Sequence, residues 1–268
     1  MTVKPSFKAK IPPLTRMASP DFDEAAARVY VEALEALEAD RVPYLAGGAL
    51  ALNAHTGIWR DTKDLDLFVK PEDATRSLDV LRKAGFQTEV VYESWLGKAW
   101  KGDVFVDLIW RNANALLPVR DSWLADPPHV DALGRSIPVL PLEELLASKM
   151  MVMNRYRYDG ADMLHILHVA GPRVDWEKLG RICGEHAGLM LAHMHTYRWA
   201  YPAWAERVPD EAIALFTRIA AEAASTFGPF RGRLIDIQSF HVDVAEWGMP
   251  DPHRHALERI FGEVDGHA

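Results

Sequence analysis

Three carboxylates and a glycine pair are the candidate reactive groups of this chain. Asp64 and Asp66 stand two apart in Asp64-Leu65-Asp66-Leu67-Phe68-Val69. On a strand they share one face while Leu65 and Leu67 take the other. Carboxylates held side by side repel each other unless a cation lies between them. Hard oxygen ligands of this kind suit magnesium, which takes one or two carboxylates together with substrate phosphates. The alternative is a solvated strand end. Asp107 lies within the apolar, β-forming run Val104-Phe105-Val106-Asp107-Leu108-Ile109-Trp110. A carboxylate there has to be solvated at a cleft, paired, or bound to a metal. If its strand lies beside that of Asp64 and Asp66, three carboxylates converge, the layout for metal-assisted phosphoryl or nucleotidyl transfer.

Gly47 and Gly48 separate Val42–Ala46, which reads as a short buried strand, from Ala49–His55, which reads as the first turns of a helix. Glycines at such a turn remove side chains that would block a ligand, and the free N–H groups of a helix start suit a phosphate. A Gly-Gly pair alone reads more readily as a tight turn than as a phosphate site. Arg60 and Thr62 flank the aspartate pair on the loop entering its strand. Arg60 could stabilise triphosphate charge or form a surface salt bridge.

In this order, Gly-Gly, then Arg60-x-Thr62-x-Asp64-x-Asp66, then Asp107 on a later strand resemble the nucleotidyltransferase superfamily of DNA polymerase beta. Within it the chain is similar to the small bacterial nucleotidyltransferases, whose relatives include abortive-infection toxins and antibiotic nucleotidyltransferases. Pro141 to Lys149 is similar to the lysine-bearing helix of the toxin-like branch. Arg157-Tyr158-Asp159-Gly160-Ala161-Asp162 is similar to that branch's next motif, a basic residue followed by spaced aspartates. The resemblance spans roughly the first two thirds of the chain, and its specificity lies in the ordered set of motifs.

The resemblance implies an α/β fold: a mixed β-sheet nucleotidyltransferase core with a helical C-terminal domain. It implies Mg2+ on Asp64, Asp66 and Asp107, with Asp107 also helping to deprotonate the acceptor. A nucleoside triphosphate such as ATP would lie against Gly47, Gly48, Arg60, Thr62 and Lys149. A nucleoside monophosphate would then pass to a hydroxyl, with release of pyrophosphate. The acceptor stays open between tRNA, a protein side chain and a small molecule. Lys149 could instead snorkel to solvent, and Asp159 and Asp162 could cap a helix and pair with arginine. A second class of function is a non-catalytic descendant that binds a nucleotide or a partner protein, as in a toxin–antitoxin pair. The intact aspartate set favours the enzyme.

The secondary structure expected around these groups follows from periodicity. Asp21–Ala39 carries apolar residues at helical spacing, with Ser19-Pro20 as its expected start. Pro71–Gly85 is the next helix. Gln87–Tyr92, Trp95–Trp100 and Asp103–Trp110 read as successive strands, joined in the second case by a hairpin at Lys101-Gly102-Asp103. Asn112–Asp131 reads as loops with one short helix, and Ser136–Leu140 as a last strand. Helices are then expected from Pro141, Ala161, Val174, Ala187 and Asp210, and a terminal one at His253–Val264. The expected organisation is an N-terminal arm at residues 1–20, a catalytic domain at 21–140 and a helical domain at 141–268.

A net charge of −8 over 268 residues argues against a broad nucleic-acid surface but leaves room for a local basic pocket. Cys183 is the single cysteine, so no intrachain disulfide forms, and core packing is its expected role. Lys4, Lys8 and Lys10 precede no apolar leader and no run approaches a membrane span, so the expected location is the cytoplasm. Asp162, His165 and His168, then His193 and His195, then His253 and His255 could each donate to zinc, though short pairs of this kind are common on ordinary helices. Trp199, Trp204, Tyr197 and Tyr201 are expected to pack in the core or between domains, or to stack on a base.

Overall fold

Residues 15–112, 116–224 and 230–253 are described by the structure, a computed structural model. The chain runs β1 (Arg16–Met17), α1 (Glu24–Ala39), β2 (Leu45–Ala46), α2 (Gly48–Thr56), β3 (Ile58–Trp59) and β4 (Asp64–Phe68). It continues through α3 (Ala74–Lys83), β5 (Gln87–Tyr92), β6 (Leu96–Lys101), β7 (Val104–Ile109), α4 (Asp121–Leu124), β8 (His129–Ala132) and β9 (Arg135–Pro138). The helices α5 (Leu142–Met150), α6 (Gly160–Ala170), α7 (Trp176–Cys183), α8 (Ala187–Ala200), α9 (Asp210–Ala224) and α10 (His241–Ala245) follow. This is the expected mixed α/β architecture followed by helices.

The principal sheet has the order β2-β4-β7-β6-β5. β4 and β7 are parallel, and the other neighbours are antiparallel. Strand alternation sends Leu65, Leu67, Val106 and Leu108 into the core, where each is at most 2% exposed. α3 covers that face closely, and a Cβ on Gly97 would already touch Leu78 at 3.1 Å. The aspartates therefore lie on the opposite face. α1 buries Tyr30, Ala33, Leu34 and Leu37 along one stripe. Its N-cap is Asp23, which accepts from the Ala25 and Ala26 N–H groups, so the helix starts after Ser19-Pro20 rather than on it.

The segment read as loops contains a hairpin as well as the short helix α4. β8 and β9 pair antiparallel through Val130–Ile137 and their neighbours, turning on Leu133 and Gly134 at φ 55° and 72°. β9 ends before the expected strand does, and Leu140 N–H instead donates to the Ala46 carbonyl at 3.0 Å. That bond ties the chain leading into α5 to the strand leading into α2. The buried cluster is continuous from Leu45 and Leu67 through Leu146 and Met150 to Met194 and Phe216. Cys183 lies in it, and burial pushes its thiol up. Among the described residues no helix is long and apolar enough to cross a membrane. Lys4, Lys8, Lys10, His255 and nearly all of the expected terminal helix lie outside the described residues.

Candidate active site

The sheet register brings the three carboxylates together. Asp66 and Asp107 are direct Cα partners across the parallel β4–β7 pair, and Asp64 precedes Asp66 on the same face. One oxygen from each of the three lies within 4.8 Å of the others, the one such acidic or metal-ligating group of three among the described residues. β6 adds a cation. Lys98 is the Cα partner of Asp107, and its Nζ donates to Asp107 Oδ1 at 2.5 Å while lying 4.2 Å from the centre of the Phe105 ring. Thr62 does not reach outward. Its hydroxyl donates to Asp64 Oδ1 at 2.7 Å and so orients that carboxylate.

These groups are short of positive charge. Burial, then Asp64 and Asp107, push Asp66 up to about 6. Asp107 is also raised, by burial first, against the opposing pull of Lys98. Three oxygens within reach of one point, part-buried and mutually repelling, are a donor set that fits a hard divalent cation.

The glycine pair meets this cluster directly. Gly48 has φ 48°, and a Cβ there would overlap Asp66 Oδ2. A Cβ on Gly47 would overlap the Phe68 ring. Gly47 N–H donates to the Asp66 carbonyl at 2.9 Å, so this amide holds the turn against β4. α2 then begins at Gly48 with no side-chain cap, its N-terminus beside Asp66.

The C-terminal helices form the facing wall. A cleft of about 110 Å³ is lined by Gly48 and Asp66 on one side and by Lys149, Arg157 and Asp159 on the other. Lys149 is 5% exposed and donates to Asp159 Oδ2 at 2.8 Å and Asp162 Oδ2 at 2.7 Å. Arg60 Nε lies 3.4 Å from the same Asp162 oxygen, and Arg157 Nε donates to Asp159 Oδ1 at 3.2 Å. Burial alone would raise Asp159, but Lys149 and Arg157 hold it below the usual carboxylate range. Three cations thus share two carboxylates, which leaves the wall with one positive charge in excess, facing the acidic cluster. Arg157 is the exposed member, and its charge is felt at Asp66 and Asp107.

Two residues of this site, Lys98 and Asn112, were not singled out from sequence, and Arg157 was read only as part of its motif. Asn112 is 4% exposed and lines the cleft. Its Oδ1 accepts from the Leu116 and Leu117 N–H groups at 3.1 and 3.3 Å. Its Nδ2 has no partner among the described residues. A buried donor left unpaired costs about 1–3 kcal/mol.

The other candidates lie elsewhere. His168 packs on Tyr201 at 4.6 Å, His193 Nε2 meets the Met150 carbonyl at 3.2 Å, and His253 Nε2 meets that of Arg233 at 2.9 Å. Tyr197 is fully buried, as expected, but Trp199 is 83% exposed and so is not a core residue.

No curated protein sequence matches the chain. Among solved structures, the antibiotic-resistance factor ANT(2'')-Ia is 21% identical, with 76% of this chain and 98% of that one covered at a TM-score of 0.40. The lincosamide antibiotic adenylyltransferase LnuA, lincomycin-bound, is 16% identical over 56% and 99% of the two chains at 0.39. JHP933 from Helicobacter pylori is 12% identical over 84% and 99% at 0.38. The profile of a family described as "Uncharacterised nucleotidyltransferase" matches residues 21–187, more than half of the chain and all of the cluster and wall described above. The chain is therefore a member of that nucleotidyltransferase family.

Proposed function

We propose that this protein transfers a nucleoside monophosphate from a nucleoside triphosphate to a hydroxyl acceptor with release of pyrophosphate, using magnesium held by Asp64, Asp66 and Asp107. The single observation behind this reading is the convergence of the three carboxylate oxygens within 4.8 Å on the sheet face beside the Gly47–Gly48 turn. Bound there, magnesium would supply charge neutralisation for the triphosphate and for the entering and leaving oxygens. The remaining work falls to the chain. Thr62 fixes the Asp64 carboxylate, and Lys98 fixes that of Asp107. Asp107, with its affinity for a proton raised by burial, accepts the proton of the acceptor hydroxyl. The acceptor oxygen bonds to the α-phosphorus as the α–β bridging bond breaks, and pyrophosphate carries away the electron pair. Arg157, with the α2 N-terminus opposite, offsets the charge of the departing phosphates.

Acceptor room adjoins this cleft. A second cavity of about 370 Å³ shares Trp95, Val152 and Arg157 with it. The test is incubation with the four α-labelled nucleoside triphosphates and magnesium, with tRNA, protein fractions and small hydroxylated compounds as acceptors. Label should pass to one class of acceptor and stop on chelation. Metal-independent nucleotide binding with no labelled product across the panel would overturn the reading in favour of a non-catalytic binding protein.

A further inference from the structure

The cleft beside Asp66 has a wall that metal and phosphate leave unused. Phe68, Trp95, Ile109, Leu140 and Leu145 give it an apolar lining, unsuited to a triphosphate, which loses its hydration there without compensation. Trp95 is stacked on Tyr92, with centroids 5.4 Å apart and planes 9° from parallel, so one face of the indole is covered. Within this lining stands one deeply buried polar side chain with an unmet hydrogen bond, Asn112. Its orientation is not arbitrary. Two backbone N–H groups donate to one amide terminus, which must be the oxygen, so the other terminus is the NH2 group. It can only donate, and no described atom accepts from it. Ser148 lines the same cleft, and its buried Oγ is likewise without a partner.

We propose that this cleft is a nucleobase subsite, in which the base lies against Trp95 and accepts a hydrogen bond from Asn112 Nδ2 through a keto oxygen or ring nitrogen. A flat aromatic ligand with polar edges is what an apolar slot carrying one fixed donor recognises. Gly48 and Asp66 line the same slot, so a nucleotide seated this way leads its phosphates toward the carboxylate cluster. Asn112 thereby becomes a specificity-determining residue. A base whose inner edge offers only donors leaves the amide unpaired and is rejected. This inference rests on the nucleotidyl-transfer reading.

The test compares magnesium tripolyphosphate, which has no base, with each of the four magnesium nucleoside triphosphates, titrated calorimetrically into the whole protein. The wild type should bind at least one nucleotide about tenfold or more tightly than tripolyphosphate. Asn112→Asp keeps an oxygen for the Leu116 and Leu117 amides and replaces the donor by an acceptor. It should erase that advantage for the preferred nucleotide. Ser148→Ala removes a hydroxyl that has no partner among the described residues, so it should fold as the wild type does and narrow the same ratio. Equal binding of tripolyphosphate and all four nucleotides by the wild type overturns the base subsite while leaving the metal–phosphate reading intact. A nucleotide-to-tripolyphosphate ratio unchanged in both variants overturns it as well. No binding of any triphosphate by the wild type refutes nucleotidyl transfer, and this subsite with it.

Discussion

Replacing Asp66 with Asn should make the metal-free protein more stable at neutral pH. Asp66 is ionised near 3.8 in the unfolded chain and near 6 in the folded one, because folding buries it beside Asp64 and Asp107. Between those two values the folded state holds more protons, so stability falls as pH rises through that window and stays lower above it. A shift of about two pKa units corresponds to an upper limit of about 3 kcal/mol. The Asn amide removes the charge, keeps the shape, and can donate to a neighbouring carboxylate. Its backbone carbonyl still accepts from Gly47 N–H. The expected gain without metal is about 1–3 kcal/mol at pH 7, which raises the melting temperature by about 2–10 °C. At pH 4 the wild-type carboxyl is itself protonated and the difference should vanish. Magnesium with a nucleoside triphosphate should then raise the wild-type melting temperature and leave the variant's nearly unmoved. Thermal melting of both proteins from pH 4 to 8, with and without these ligands, checks each part. A variant that melts below the wild type at pH 7 without metal, or that keeps the wild-type ligand shift, refutes the account of Asp66 as a cation-deficient ligand.

Lys149→Met removes the cation shared by two carboxylates that are each about one-tenth exposed. It should cost about 3 kcal/mol in urea unfolding without ligand. Unchanged stability with loss of nucleotide affinity alone would make Lys149 a ligand contact rather than a structural one. Gly48→Ala forces a side chain into a left-handed backbone and against Asp66. It should cost about 2 kcal/mol or more and abolish the magnesium-dependent melting shift. A Gly48→Ala protein as stable as the wild type would refute the tight turn.

The shared face of Asp64 and Asp66 was legible because it follows from strand alternation, and the cluster then needed only β7 beside β4. Asp-Leu-Asp-Leu and Val-Asp-Leu can bury their apolar residues in only one phase, and that phase exposes all three aspartates on one face. Most element positions followed from the same periodicities, and the fold class from the family resemblance. Lys98 was also within reach: counting back from the two-residue turn at Gly102-Asp103 pairs Lys101 with Val104 and Lys98 with Asp107. The β8–β9 hairpin escaped because its turn puts Leu133 at positive φ, where asparagine or glycine would have announced it. The Arg60, Lys149 and Arg157 network with Asp159 and Asp162 joins a loop, α5 and the approach to α6, and no local pattern encodes such a meeting. Asn112 carries no signal in a single sequence. Its significance comes from a bond it does not make.

The short turn at Gly102-Asp103 has a consequence for how this chain can change over evolution. Its tip is open, with nothing within 4 Å of a Cβ on Gly102, so substitutions there meet only the cost of a positive φ. Its length is another matter. Inserting or deleting one residue slips β6 against β7 and carries every side chain of one strand to the other face. Lys98 would leave Asp107, and Gly97 or Ala99 would stand in its place. A hairpin tip distant from the carboxylates thus acts as a ruler for the site. Among homologues that keep this lysine, the tip should vary in residue identity while its length stays fixed.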